Sequence, residues 1–286
     1  MVESMKTETR SQKSLPHRIG VFLRYLALIL WCATTIFPFV WTINSSFKNN
    51  AQIFGQPLAL PNPVIWGNFQ KAWDGTAIEV TGVNSLIYAA ATVLLVILIA
   101  TPAAFYCAKM TTGKLLHSYF LIGIMIPVHA ILIPCFITLR DLGLHNTRLG
   151  IIILYVATSL SFSIFVLTGF IKSAIPNEMI EASVIDGCGP IRAFLNVMPL
   201  CKAGFATAMT FVFLGVWNEM LFAMIVLPGP ALRTLNVACY NLRGQFVSDQ
   251  GLLSAGLVLL VTPVIIVYTL FQEQVVKGLT AGAVKG

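Results

Sequence analysis

Six runs of about 20 or more mostly apolar residues dominate this chain, and that is the length a helix needs to cross the hydrocarbon core of a bilayer. They are Gly20 to Ile43, Leu86 to Ala108, Leu115 to Leu139, Leu149 to Ile171, Ala203 to Leu227 and Leu252 to Phe271. Lipid offers no water to satisfy peptide groups, so each run is expected to be helical. The expected fold class is an all-α membrane protein with six transmembrane helices. Composition agrees, because 57% of the 286 residues are hydrophobic and only 10% are charged, where a soluble domain carries about a quarter. No internal repeat is visible.

The net charge of +7 does not describe a nucleic-acid surface. The basic residues stand singly between apolar runs, without the clustering and stacking aromatics that such a surface needs. They read as orientation signals instead. With the amino terminus inside, twelve Lys and Arg fall on the cytoplasmic side, among them Lys6, Arg10, Lys13, Arg18, Lys109 and Lys172. Six fall outside, namely Lys48, Lys71, Arg140, Arg148, Arg233 and Arg243. This obeys the positive-inside tendency and puts both termini in the cytoplasm. The organisation expected is a cytoplasmic amino-terminal segment (1–19), a six-span domain (20–273) holding a large cytoplasmic loop (173–202), and a cytoplasmic tail (274–286). The first apolar run has no small-residue cleavage site behind it and reads as a retained span. Six cysteines form no CxxC pair and no metal-ligand spacing; Cys32, Cys107, Cys135 and Cys201 read as small buried apolar residues.

The stretch Ile175 to Leu200, IPNEMIEASVIDGCGPIRAFLNVMPL, is the one place where charge, glycine and proline gather between two apolar runs. Pro176 suits a first helical position, Glu178 and Glu181 favour the positive end of the helix dipole, and Gly187 supplies a stop. On a helical wheel Glu178, Glu181, Ala182 and Asp186 fall on one side. Met179, Ile180, Ser183 and Val184 fall on the other. A second short turn follows from Pro190 through Asn196, and Pro199 is expected to bend the chain into the next run. Taken alone, this stretch also fits an amphipathic helix resting on the bilayer surface.

No catalytic set appears. The four histidines lack a carboxylate or cysteine partner nearby, no GxSxG or HExxH pattern occurs, and no GxxxxGK[ST] phosphate loop exists. Polar residues within spans are therefore the candidates for function, since each is costly in lipid unless it faces protein or a wet path. Glu219, in Trp217-Asn218-Glu219, is the one acid at membrane depth. It could line a solute path, with Trp217 stacked on a sugar ring, or it could pair with a neighbouring helix end. Tyr155, Ser159 and Ser163 recur at i, i+4 and i+8 as a polar stripe, readable as a path or as helix packing through small hydroxyls. Asn84 and Ser85 read as a cap before the second span. The outer loop Asn44 to Gly82, with Pro57, Pro61, Pro63, Trp66 and Trp73, reads as an ordered cap with interfacial aromatics, either a docking surface for an external protein or a packed lid that shields helix ends. Pro228 to Gly251 is long enough to fold back toward the pore.

The pattern Glu181-Ala182-Ser183, Asp186-Gly187 and Pro199 resembles the cytoplasmic loop of ABC importer permeases, with Ser183 in place of the family's second Ala. Pro38, Trp41, Ser46 and Lys48 resemble another part of the carbohydrate branch. So do Leu142-Gly143-Leu144 with Asn146-Thr147, Trp217-Asn218-Glu219, Gly244-Gln245 with Asp249, and the glycine-rich tail from Gly278 to Gly286. Ser161 departs from it, standing where relatives carry Pro. The resemblance covers nearly the whole chain and is similar to the smaller permease of the maltose system. It implies the type I ABC importer fold in a bacterial or archaeal cell membrane, with Glu181, Ala182, Ser183, Asp186, Gly187 and Pro199 coupling to an ATPase. It also implies a second permease, two ATPase subunits that bind ATP and Mg, an extracytoplasmic binding protein and a sugar substrate. This chain itself is expected to carry no cofactor, no metal site and no enzymatic activity. Arg233 and Arg243 leave an anionic solute such as glycerol phosphate open, and an ion-coupled secondary transporter is the alternative from another class.

Overall fold

The computed structural model describes residues 15–243 and 249–283, and every regular element among them is helical. In chain order these are α1 (Leu15–Ser46), α2 (Asn50–Gly55), α3 (Gly67–Thr76), α4 (Ile78–Lys109), α5 (Gly113–Met125), α6 (Leu132–Asp141) and α7 (Arg148–Ala174). Then follow α8 (Asn177–Ile185), α9 (Pro190–Val197), α10 (Lys202–Asn218), α11 (Leu221–Val226), α12 (Leu235–Asn241) and α13 (Gln250–Ala283). Five stretches are long and apolar enough to cross a membrane: Ile19–Ser46, Ile78–Lys109, Arg148–Ala174, Pro190–Asn218 and Gln250–Glu273. The sixth expected span is a bent pair, Gly113–Met125 and Val128–Asp141, turned through 82°.

The bundle is organised on α4 against α7. Small residues recur along α4 at Ala89, Val96, Ala100 and Ala104, all fully buried, and they let the two backbones approach closely. Ile164, Leu167 and Ile171 of α7 fill the space opposite, and Thr168 donates to the Ala104 carbonyl at 3.5 Å. On the other side of this pair, α10 adds Ala208, Val212 and Val216 to the same core. Helix α13 lies against α10, and α1 lies against α13. No residue in the apolar window of α1 is buried, so this span shows nearly its whole girth to lipid or to a partner.

Several boundaries differ from those the apolar runs suggest. The third run was expected to be one helix from Leu115 to Leu139, but Ile126 is extended before Pro127 and a 3₁₀ turn covers Val128–Ile131. Proline disfavours helical geometry in the residue before it, which accounts for the bend. The second span starts at Ile78 rather than Leu86, so Asn84 and Ser85 lie inside α4 and are not a cap. Expected to reach Leu227, the fifth run breaks at Glu219, between α10 and α11. Ser161 leaves α7 unbroken. Of the four cysteines read as buried, Cys107 and Cys201 are; Cys135 is half-buried and Cys32 is exposed on α1. The tail begins as a helical continuation of α13, while Gly244 and Gln245 lie outside the described residues.

Ala100→Leu would force extra methylenes into a fully buried position of the core around α4, at a cost of about 1–3 kcal/mol. We expect a lower unfolding temperature for the detergent-purified variant, and a smaller drop for the same substitution at exposed Ala90.

Candidate functional site

The loop from Ile175 to Leu200 is held as a firm element by a helix stop that its sequence dictates. Asp186, Gly187 and Cys188 close α8, with Gly187 N–H donating to Val184 O at 3.0 Å and Cys188 N–H to Ser183 O at 2.9 Å. That pair of bonds is the Schellman arrangement, and it requires a left-handed residue at its turn. Gly187 has φ of +78°, which L side chains rarely adopt. Pro176 stands one position earlier than expected, as the residue before α8, with its carbonyl accepting from Met179 N–H at 3.3 Å.

Two contacts tie the loop to the bundle. The Lys109 amine, at the C-terminal end of α4, donates to the Ile175 carbonyl and to Asn177 Oδ1 at 3.0 Å. Phe105 of α4 meets Phe194 of α9 edge to face at 5.1 Å between centroids. These contacts set α8 and α9 directly against α4, whose core partner is α7. Glu181, Ala182, Asp186 and Gly187 are exposed and Ser183 is half-buried. On the apolar side of the wheel Ile180 packs on the core, whereas Met179 and Val184 face outward. Ile185 and Ile191 are 85% and 75% exposed, so the loop presents apolar side chains as well as the exposed carboxylates of Glu181 and Asp186. Pro199 lies in the 3₁₀ turn Met198–Cys201 that carries α9 into α10.

The second site is the break at Glu219. Its carboxylate accepts from Tyr155 Oη at 2.8 Å, from Phe222 N–H at 2.7 Å and from Ala223 N–H at 3.0 Å. The acid thus caps α11, satisfying amides that an interrupted helix leaves open in lipid. Tyr155 is buried on α7, and Ser163 donates within its own helix to the Ser159 carbonyl at 2.8 Å. Only Tyr155 of the stripe reaches across to another element. Ser159 is half-buried beside it. Trp217, expected to offer a face to a sugar ring, is instead buried between helices: its indole donates to Leu260 O at 3.1 Å and stacks on Phe213 at 5.6 Å. Asn218 is exposed, and its carbonyl accepts from Asn236 of α12 at 2.9 Å.

The outer face of α4 contributes residues whose part in this site their sequence position did not reveal. Asn84 donates to Ala231 O at 2.9 Å and Arg233 O at 3.2 Å, and its own oxygen accepts from Arg148 at 3.1 Å. Tyr88 Oη donates to Leu232 O at 2.8 Å, and Ser85 Oγ accepts from Leu235 N–H at 2.9 Å. Together they latch the segment between α11 and α12 against the bundle. Tyr88 sits one turn beyond Asn84 on α4, and that i, i+4 spacing is the only hint the sequence carried. Among the described residues no group of His, Cys, Asp or Glu is placed to hold a metal.

A family model described as "Binding-protein-dependent transport system inner membrane component" matches residues 97–281. The diacetylchitobiose uptake system permease NgcG of Streptomyces coelicolor is 34% identical over 265 residues, covering 91% of this chain and 87% of its own. For the sulfoquinovosyl glycerol transport permease SmoH of Agrobacterium fabrum the figures are 34%, 93% and 95%, and for the melibiose/raffinose/stachyose import permease MelC of Bacillus subtilis 31%, 91% and 95%. Among solved structures, a chain of a bacterial ABC transporter involved in the import of the acidic polysaccharide alginate matches with a TM-score of 0.80. It covers 91% of this chain and 98% of its own at 22% identity. The MetNI methionine ABC transporter in an inward-facing form matches with a TM-score of 0.51 at 16% identity, over 77% of this chain and 99% of its own. At such identities the likeness is one of fold, and the fold is that of type I ABC importer permeases.

Two outcomes follow from this geometry. Removing the carboxylate in Glu219→Ala strands three donors and is expected to cost about 2 kcal/mol or more, with Tyr155→Phe costing about half as much; thermal unfolding in detergent checks the order. Burial on α12 pushes the Cys239 thiol up to about 12, so little thiolate forms near pH 8 and maleimide should label Cys239 only after unfolding. The neutral thiol is the favoured form, so this group's contribution to stability is intact below its unfolded value near 9. It is lost as pH rises toward 12.

Proposed function

This chain belongs to the binding-protein-dependent transport system inner membrane components, and from that premise we propose that it is a permease passing a sugar or oligosaccharide inward. The sugar class is supported by the relatives named for diacetylchitobiose and for melibiose, raffinose and stachyose uptake. Its working form in this reading pairs it with a second permease, two ATPase subunits and an extracytoplasmic binding protein. ATP and Mg act on the ATPase subunits, and both termini are cytoplasmic.

The observation that carries the mechanism is the stopped helix α8, with Gly187 at φ +78° and apolar side chains exposed beside Glu181 and Asp186. A rigid, capped rod with uncovered Met179, Val184 and Ile185 suits a cleft on an ATPase. Nucleotide would act by population shift, favouring one arrangement of the ATPase pair and hence one position of the rod. Lys109 and the Phe105–Phe194 contact pass that displacement to α4 and α7. There the α4 latch and the Glu219–Tyr155 bond hold the segment from α11 to α12, so rearrangement of the spans reaches the outer end of the path. Tyr155, Ser159, Asn218 and Glu219 are the path candidates in this reading, and Trp217 serves as a packing anchor. The ion-coupled alternative loses its one membrane-depth acid, because Glu219 is engaged by three donors.

We expect Gly187→Asp and Glu181→Lys to abolish sugar uptake by membrane vesicles while the protein still inserts at normal levels. Gly187→Asn should restore much of the activity, since Asn tolerates left-handed geometry. Wild-type uptake by Gly187→Asp would remove the coupling role.

A further inference from the structure

Between α1 and α3 the chain runs from Asn49 to Gln70 without one charged residue. The neighbouring charge is Lys48, and it is buried: its amine donates to the carbonyls of Gln56 at 3.2 Å, Pro57 at 3.3 Å and Ala59. Other side chains cover further carbonyls of this strap. Gln52 donates to Asn62 O at 2.6 Å and Pro63 O at 3.2 Å, Asn44 to Ala59 O at 3.1 Å, and Asn68 to Ser46 O and Lys48 O, both at 2.9 Å. A strap lying in open water would have no need of such cover, because water satisfies irregular backbone at no structural expense. Internal satisfaction of non-helical carbonyls is what a water-poor setting demands.

The side chains pointing away from this network are large and apolar. Phe54, Leu58, Leu60 and Trp66 are 72%, 73%, 84% and 70% exposed. Chain continuity says what lies next to them. The span Ile19–Ser46 has 28 residues, roughly 42 Å of helix against a hydrocarbon core of about 30 Å. The strap therefore leaves α1 at headgroup level, and α4 re-enters at Ile78. It is also fixed there: a side chain at Gly251, the second residue of α13, would lie 2.0 Å from Lys48 O, so α13 seals directly against the strap.

We propose that Phe47–Trp66 is a membrane foot, seated with Phe54, Leu58, Leu60 and Trp66 in the headgroup and acyl boundary of the outer leaflet. Trp and Phe favour that boundary, and an uncharged apolar surface gains there what it would lose in water. The buried Lys48 amine is the pin of the foot, gathering the carbonyls that let its apolar side chains turn outward. The proposal rests on α1 and α4 spanning the membrane and is independent of what the chain transports.

The test uses the assembled transporter in lipid nanodiscs, with a nitroxide at Leu60→Cys and, separately, at Phe54→Cys. The signal of the unsubstituted protein is subtracted, and Leu98→Cys on the exposed face of α4 is the control. Collision rates with oxygen and with a water-soluble nickel chelate are compared. The foot requires oxygen to outpace nickel several-fold at both sites, by less than at Leu98. Nickel-favoured collisions at Leu60 and Phe54 with Leu98 still oxygen-favoured would place the strap in water and overturn the foot alone. Protection from both reagents would put a protein partner over it, which also overturns the proposal. A nickel-favoured Leu98 would take the spanning assignment of α4 down as well.

Discussion

A peptide group in or beside lipid has no water to turn to, and at three departures from helical geometry among the described residues polar side chains take up the open backbone groups. Where α10 stops, Glu219 receives the open amides of α11. Asn84 and Tyr88 receive the carbonyls of the segment that follows, and Ser85 an amide. Lys48, Gln52 and Asn68 do the same for the strap after α1. Buried hydroxyls inside the spans bond mostly to their own helix, whereas these side chains reach broken backbone. The latter are structural partners of broken backbone before they are anything else.

That pattern changes how the membrane-depth acid is understood. A lone carboxylate in a span ordinarily signals an ion or solute site. Here three donors converge on Glu219, and its oxygens fix the angle at which α11 leaves α10. A solute passing this point would meet the rim of an arrangement the acid holds in shape. Positioning and path lining are compatible, since Ser159 and Asn218 stand close in sequence to the two members of the Glu219–Tyr155 bond.

Force transmission depends on stiffness at both ends. The α4–α7 contact is tight because alanines line it, and the loop from Ile175 to Leu200 is stiff because Gly187 permits a closed turn that any β-carbon would strain. The Lys109 contacts, the Phe105–Phe194 pair and the packing of Ile180, Val197 and Met198 on the core join the two. A short, well-satisfied connection of this kind moves as one body, whereas a long flexible loop would absorb the displacement it received.

The spans, the orientation signals and the helix stop at Gly187 were legible in the linear chain, because each rests on a local property: apolar length, charge placement, or one residue's backbone freedom. The bend at Pro127 was within reach, since residues before proline avoid helix, but apolar length alone argued for a straight span. Hydropathy could not reveal the break at Glu219 or the burial of Trp217 and Lys48. Whether a polar group is exposed or satisfied depends on partners far along the chain: Leu260 for Trp217, Tyr155 for Glu219, Ala231 for Asn84. Sequence by itself therefore determined that the chain forms membrane-spanning helices and carries a short helix closed by a glycine stop. Tertiary structure alone decided which polar residues hold broken backbone, because hydrogen bonds are matched in space, between elements that sequence order leaves apart.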